Sequence, residues 1–149
     1  MIGLLQRVSE ASVYVDGERV GCIDQGLLVF VGIEREDTKA IAVRLLERIL
    51  AYRVFADDSG RMNLSVRNVA GGLLLVPQFT LVADTRKGAR PSFSHAASPA
   101  LGRELFAEIL TQARQRYAPV AAGVFAADMQ ISLLNDGPVT FWLQVSAAD

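Results

Sequence analysis

A strand-rich α/β fold with two main helices is predicted by three features of the sequence. Residues 2–8, 11–15, 129–133 and 141–145 alternate apolar and polar side chains, the period of half-buried strands. Two longer stretches carry apolar residues at helical spacing instead. Strands and helices do not alternate one for one, which excludes a doubly wound parallel sheet and leaves mixed or antiparallel sheets. With 149 residues the chain is read as a single domain, 1–149, and 51% hydrophobic content suffices for a core.

In order, residues 2–8 and 11–15 read as two strands, and Asp16-Gly17 as the hairpin turn to a third over Arg19 to Ile23. Gly26 precedes LLVFVGI, a continuous apolar run expected to be a buried strand. A helix is expected over about Thr38 to Leu50. Ala42, Leu45, Leu46 and Ile49 mark its apolar face, with Arg44, Glu47 and Arg48 opposite. Asp57-Asp58-Ser59-Gly60 is a turn between short strands. Gly71-Gly72 opens LLLVPQFTLV, read as one mostly apolar strand, and a polar loop follows from Asp84 to His95. Ser98-Pro99 is a helix start, because serine caps and proline suits the first helical position. That helix runs to about Tyr117, with Phe106, Ile109, Leu110 and Ala113 on one face, and Ala118-Pro119 stops it. Met129, Ile131 and Leu133 mark one tail strand, and Phe141, Leu143 and Val145 mark another.

Composition narrows the chemistry. Cys22 is the single cysteine, so no intramolecular disulfide forms, as in a reducing compartment. One cysteine and one histidine, His95, cannot build a usual zinc site, and no cofactor is expected. No apolar run has the length of a membrane span, and the start lacks a signal-peptide pattern, so a cytoplasmic protein is expected. The net charge of −1 provides no broad basic face, so any RNA contact must be local. Arg86, Lys87 and Arg90 form such a group in the polar loop, which is otherwise simply a solvated loop.

Two segments could carry chemistry. Asn135-Asp136-Gly137-Pro138-Val139-Thr140 has the composition of a hairpin turn between the tail strands, although Pro138 is awkward in a ladder. A Gly-Pro bond can also be cis, which would aim successive carbonyls in a fixed direction. Gln78-Phe79-Thr80-Leu81 ends an apolar strand. Phe79 and Leu81 would point into the core, and Gln78 and Thr80 would face the other way beside a loop.

Together with MIGLLQRV at the start, YRVFADDSGRMNLSV, RPSF at Arg90 to Phe93 and FAADMQISLLNDGPVTFWLQV, these segments resemble the D-aminoacyl-tRNA deacylase family over nearly the whole chain. The family signatures are an SQFTL-type and an NxGPxT-type motif, present here in that order. The resemblance implies a barrel-like fold and a homodimer. It also implies hydrolysis of the ester between a D-amino acid, or glycine mischarged on tRNA for alanine, and the 3′ end of tRNA. Gln78, Phe79 and Thr80 are then the catalytic segment. Gly137 and Pro138, joined by a cis bond and supported by Asn135, would enter the partner's site as a chirality filter, and Arg7 would brace that loop. The terminal 2′-hydroxyl of the tRNA would activate water. Arg86, Lys87 and Arg90 would meet acceptor-end phosphates. Where the family usually has serine this chain has Pro77, so no serine hydroxyl acts at that point. The alternative is a tRNA- or DNA-binding module that kept the fold without catalysis. A metal-independent esterase acting on small esters is a third reading.

Overall fold

The computed structural model describes residues 1–147. The chain forms a mixed sheet with two helices packed on one face. The first strand, β1, runs unbroken over Ile2–Val15 and replaces the two strands expected there. The sequence pattern slips at Ser9-Glu10, and the ladder to the last strand slips there too, so one bulged strand looks like two short ones.

β1 is the spine of the sheet. Strand β2 (Glu18–Ile23) pairs antiparallel with its second half, through the Asp16-Gly17 turn. Strand β3 (Gly26–Gly32) pairs antiparallel with its first half. Helix α1 (Lys39–Ala51) follows, with the Thr38 hydroxyl accepting from the Ile41 N–H as its cap. Ile41, Ala42, Leu45, Leu46, Ile49 and Leu50 are its buried face. Short strands β4 (Phe55–Ala56) and β5 (Met62–Leu64) flank the predicted turn, where Asp57 accepts from the Ser59 and Arg61 N–H groups. Strand β6 (Gly72–Pro77) adds in parallel to β3.

Helix α2 (Pro99–Arg116) starts where Ser98 caps it, and buries Leu105, Phe106, Ile109 and Ala113. Strand β7 (Val120–Ala122), which has no clear sequence signal, joins β6 in parallel. The last strand, β8 (Gln130–Gln144), lies antiparallel along β1 for nearly its whole length. The two expected tail strands are therefore one element that pairs with β1, and they do not pair with each other.

The sheet order is β2-β1-β3-β6-β7, with β8 on the other side of β1. The sheet curls toward a barrel. Gly21 of β2 comes so close to β7 that an added Cβ would stand 2.7 Å from the Ala122 carbonyl oxygen. Leu27, Val29 and Val31 of β3 join the core under the helices, while Leu28 packs with Val8, Val13 and Leu74 on the other face. The Met1 ammonium is buried and donates to Asp37 at 2.6 Å, Glu34 at 2.8 Å and the Val145 carbonyl at 2.8 Å. Burial pushes the Asp37 carboxyl up, against those hydrogen bonds. Among the described residues no helix is long and apolar enough to cross a membrane.

Candidate active site

The QFTL segment is not the end of a strand. The Gln78 N–H still donates to the Val31 carbonyl at 2.8 Å, and the chain then turns into a short 3-10 helix, Phe79–Val82. About three residues per turn replace the strand's period of two, so the inward position falls to buried Val82. Phe79, expected in the core on strand alternation, is 64% exposed. Gln78 Nε2 donates to Thr80 Oγ1 at 2.5 Å, which ties the two polar side chains together. Phe79 and Thr80 open the 3-10 turn, so their N–H groups have no intrahelical acceptor.

Pro77 ends the parallel ladder. N–H groups alternate sides along a strand, and that of Gln78 points to β3, so the Pro77 nitrogen faces the β7 side, where the Gly123 N–H donates to the Leu75 carbonyl at 2.9 Å. Proline offers no N–H to continue the pairing there. The proline ring instead lines a cavity of about 370 Å³ with Val31, Ile33, Phe79, Gly102 and Phe125. Gly102 of α2 lets the Phe125 ring lie close, because a Cβ there would meet Phe125 Cζ at 3.2 Å. The Arg103 guanidinium covers the same ring, 4.9 Å from its centroid. Neither Phe125 nor Gly102 could be found from sequence spacing.

Asn135 to Thr140 is a bulge in β8. Asn135 pairs with Val8 and Thr140 with Gln6, so residues 136–139 stand opposite Arg7 alone. Asn135 Nδ2 closes the base of the bulge by donating to the Arg7 carbonyl at 3.0 Å and the Val139 carbonyl at 3.2 Å. Arg7 fastens the other side, with Nε 3.2 Å from the Asp136 carbonyl and 3.0 Å from its carboxylate. Its Nη1 donates to Val54 at 2.6 Å. Val139 is buried and Gly137 and Pro138 are exposed at the tip, joined by a cis bond.

Asp84 and Ser92 exchange both backbone hydrogen bonds, which closes the basic loop. Arg86 grips Asp84 through Nε at 2.9 Å and Nη2 at 2.6 Å, and this holds the Asp84 carboxyl far below the usual carboxylate range. Lys87 and Arg90 are exposed and form no ion pair among the described residues. His95 is exposed, and its carbonyl accepts from the Arg35 N–H. Trp142 is 51% exposed on the side of β8 that also shows Thr140 and Gln144. Among the described residues no group of three His, Cys, Asp or Glu could hold a metal ion.

The structure thus gathers Gln78, Phe79 and Thr80 at one place, and Arg7, Asn135, Gly137 and Pro138 at another. Gln78 bonds at Val31, whose partner on β1 is Gly3, four residues from Arg7. That is about 13 Å along β1, and three strand spacings of about 5 Å also separate β6 from β8. Within one chain the two motifs do not meet.

A family model described as D-Tyr-tRNA(Tyr) deacylase matches residues 4–144. The chain belongs to that deacylase family. A relative from Thioalkalivibrio sulfidiphilus named D-aminoacyl-tRNA deacylase is 63% identical over 145 residues, covering 97% of each chain. One of the same name from Pseudomonas putida is also 63% identical and is covered completely. Among solved structures, one titled c-Myc DNA Unwinding Element Binding Protein superposes on this deacylase-family chain with a TM-score of 0.93 at 38% identity. It covers 99% of this chain and 100% of its own. A probable eukaryotic D-amino acid tRNA deacylase shares the fold, with a TM-score of 0.82 over 97% of this chain and 98% of that one, at 15% identity.

Proposed function

We infer that the protein is a tRNA-editing hydrolase that cleaves the ester of D-aminoacyl-tRNA and works as a homodimer. The observation that carries this reading is the exposed Gln78–Thr80 turn at the mouth of an apolar cavity, in a chain 63% identical to relatives named D-aminoacyl-tRNA deacylase. The cavity suits the flat base of the terminal adenosine, which leaves the 3′-ester over the turn. The Phe79 and Thr80 N–H groups then face the ester oxygen that gains charge as water adds.

Thr80 is not the nucleophile. Its hydroxyl meets the Gln78 carboxamide, which is no base, and threonine needs one. The adjacent 2′-hydroxyl of the tRNA assists the attacking water. Water oxygen bonds to the carbonyl carbon, the bond to the 3′-oxygen breaks, and a proton passes to that oxygen. The products are free amino acid and tRNA.

The Gly137-Pro138 tip of a second copy completes the site, since a chain cannot bring its own tip to its own turn. Backbone against the α-carbon leaves room for hydrogen on that side, so an L side chain clashes and a D side chain points outward. Rejection by clash discriminates strongly but cannot exclude glycine, so glycyl-tRNA mischarged on tRNA for alanine is also a substrate. The whole chain serves as one deacylase domain with no cofactor, in the cytoplasm where charged tRNA is used.

The second reading, a nucleic-acid-binding module, draws on the name of the DNA-binding structural relative. Incubation with D-Tyr-tRNA, L-Tyr-tRNA and Gly-tRNA separates the two. Release of D-Tyr and Gly but not L-Tyr is expected. No release from the D form favours the binding module, and equal release from the L form removes the filter. A substrate lacking the terminal 2′-hydroxyl should stay intact.

A further inference from the structure

Two phenylalanines lie open beside the cavity. Phe79 is 64% exposed and Phe93 40%, and their rings pack at 5.1 Å between centroids with planes at 53°. An exposed aromatic pair leaves apolar surface in water, which marks a contact site. The hydrolytic scheme uses the backbone of residue 79 and makes no use of Phe93.

The ring of Phe93 is held from its own loop. The Asp84–Ser92 bridge precedes it, Arg86 locks Asp84, and the Phe93 carbonyl accepts from the Ala96 N–H at 3.0 Å. The chain then runs through Ala96 to Pro99 along the cavity wall. Phe79 is therefore shared, with the cavity on one side and Phe93 on the other. The same loop carries Lys87 and Arg90, exposed and without ion pairs among the described residues. Aromatic faces flanked by cations are how proteins hold unpaired nucleotides, because every base has a face to stack.

We propose that the Phe79–Phe93 pair is a stacking platform for the unpaired nucleobase that precedes the terminal adenosine, with Lys87 and Arg90 against its phosphates. This rests on the deacylase reading. It adds a second nucleotide subsite, and it gives the basic loop a defined register on the RNA.

The test compares the D-tyrosyl ester of adenosine with the D-tyrosyl and D-alanyl esters of the trinucleotide cytidylyl-cytidylyl-adenosine, using unmodified protein, Phe93→Ala and Phe93→Trp. The unmodified protein should prefer the trinucleotide in kcat/KM, mainly through KM. Phe93→Ala should lower kcat/KM for the trinucleotide about ten-fold more than for the nucleoside ester. Phe93→Trp, which keeps a stacking face, should restore the preference. Equal losses on both D-tyrosyl esters overturn the platform and leave Phe93 as a prop for Phe79. A loss seen with D-tyrosyl but not D-alanyl trinucleotide assigns the pair to the amino-acid side chain and overturns it too. A change of Phe93→Ala to a smaller sedimenting species places the pair between two copies and likewise overturns the platform. Release from none of the esters by the unmodified protein removes the deacylase reading, and the platform with it.

Discussion

Thr80 and Phe79 sit side by side but are assigned different work, and single substitutions can separate them. If the Thr80 hydroxyl only positions Gln78, then Thr80→Ala costs one hydrogen bond, about 1 kcal/mol or several-fold in rate. Single-turnover hydrolysis of D-Tyr-tRNA checks this, and complete loss with intact binding would return Thr80 to the chemistry. Phe79→Pro is the sharper change. Residue 79 is the first of the 3-10 helix, a position that tolerates proline, so the substitution removes one proposed oxyanion donor while the turn persists. A fall in kcat of about 100-fold or more is expected relative to Phe79→Ala, which keeps the N–H. Arg7 works through structure. Its side chain is 14% exposed, and Arg7→Ala leaves the Val54 carbonyl without its bond and the bulge without its clasp. Urea unfolding should show a loss of about 1–3 kcal/mol, and release from L-Tyr-tRNA should rise relative to the D form.

At the scale of elements, the basic loop and the two motifs differ in how much of them the sequence makes legible. The Asp84 carboxyl lies below its ordinary value of 3.8, first through the Arg86 side chain and then its N–H. A depressed value in the folded state means that the contribution is complete above about pH 4. It is lost as pH falls through the folded value. Arg86 is exposed and Asp84 half-buried at the surface, so solvent screens the pair and the effect belongs to local order in the loop. Carboxyl NMR should find Asp84 titrating below 3.8 and Arg86→Ala moving it back up. Helix α1 is legible from its apolar spacing, and α2 from spacing together with its cap, where Ser98 accepts the Leu101 N–H. The QFTL turn is not, since Phe79 and Leu81 alternate with polar residues as a strand would, and only the burial of Val82 decides otherwise. NDGPVT reads as a hairpin by composition. What makes it a bulge is a β1 long enough to pair with both flanks, and that depends on residues at the far end of the chain. Site residues in QFTL, NDGPVT and at Arg7 came from family likeness, whereas Phe125 and Gly102 needed the fold.

For the whole molecule the separation of the two motifs makes a quantitative prediction. Removing Asp136-Gly137-Pro138 would leave Val139 opposite Arg7 and the ladder continuous from Ile2 to Val8, so this variant should fold while lacking the proposed filter tip. Alone it should release both D-Tyr and L-Tyr. Mixed with an equal amount of Phe79→Pro, which is nearly inactive, it should lose about half of its L-Tyr release, because about half of the tip-deleted subunits then face an intact tip. Subunit exchange followed by an L-Tyr-tRNA assay measures this, and unchanged L-Tyr release would place both motifs in one subunit.

The bulge has a consequence apart from any substrate. β8 is an edge, with β1 on one side and no strand on the other among the described residues. A long open edge carrying Leu134 and Trp142 invites unrelated chains to add on and grow into fibres. The tip interrupts that edge between 135 and 140, and Pro138 offers no N–H to an incoming strand. The residues proposed to judge the hand of an amino acid thus also guard an open edge, and deleting them should hasten aggregation even where the fold survives.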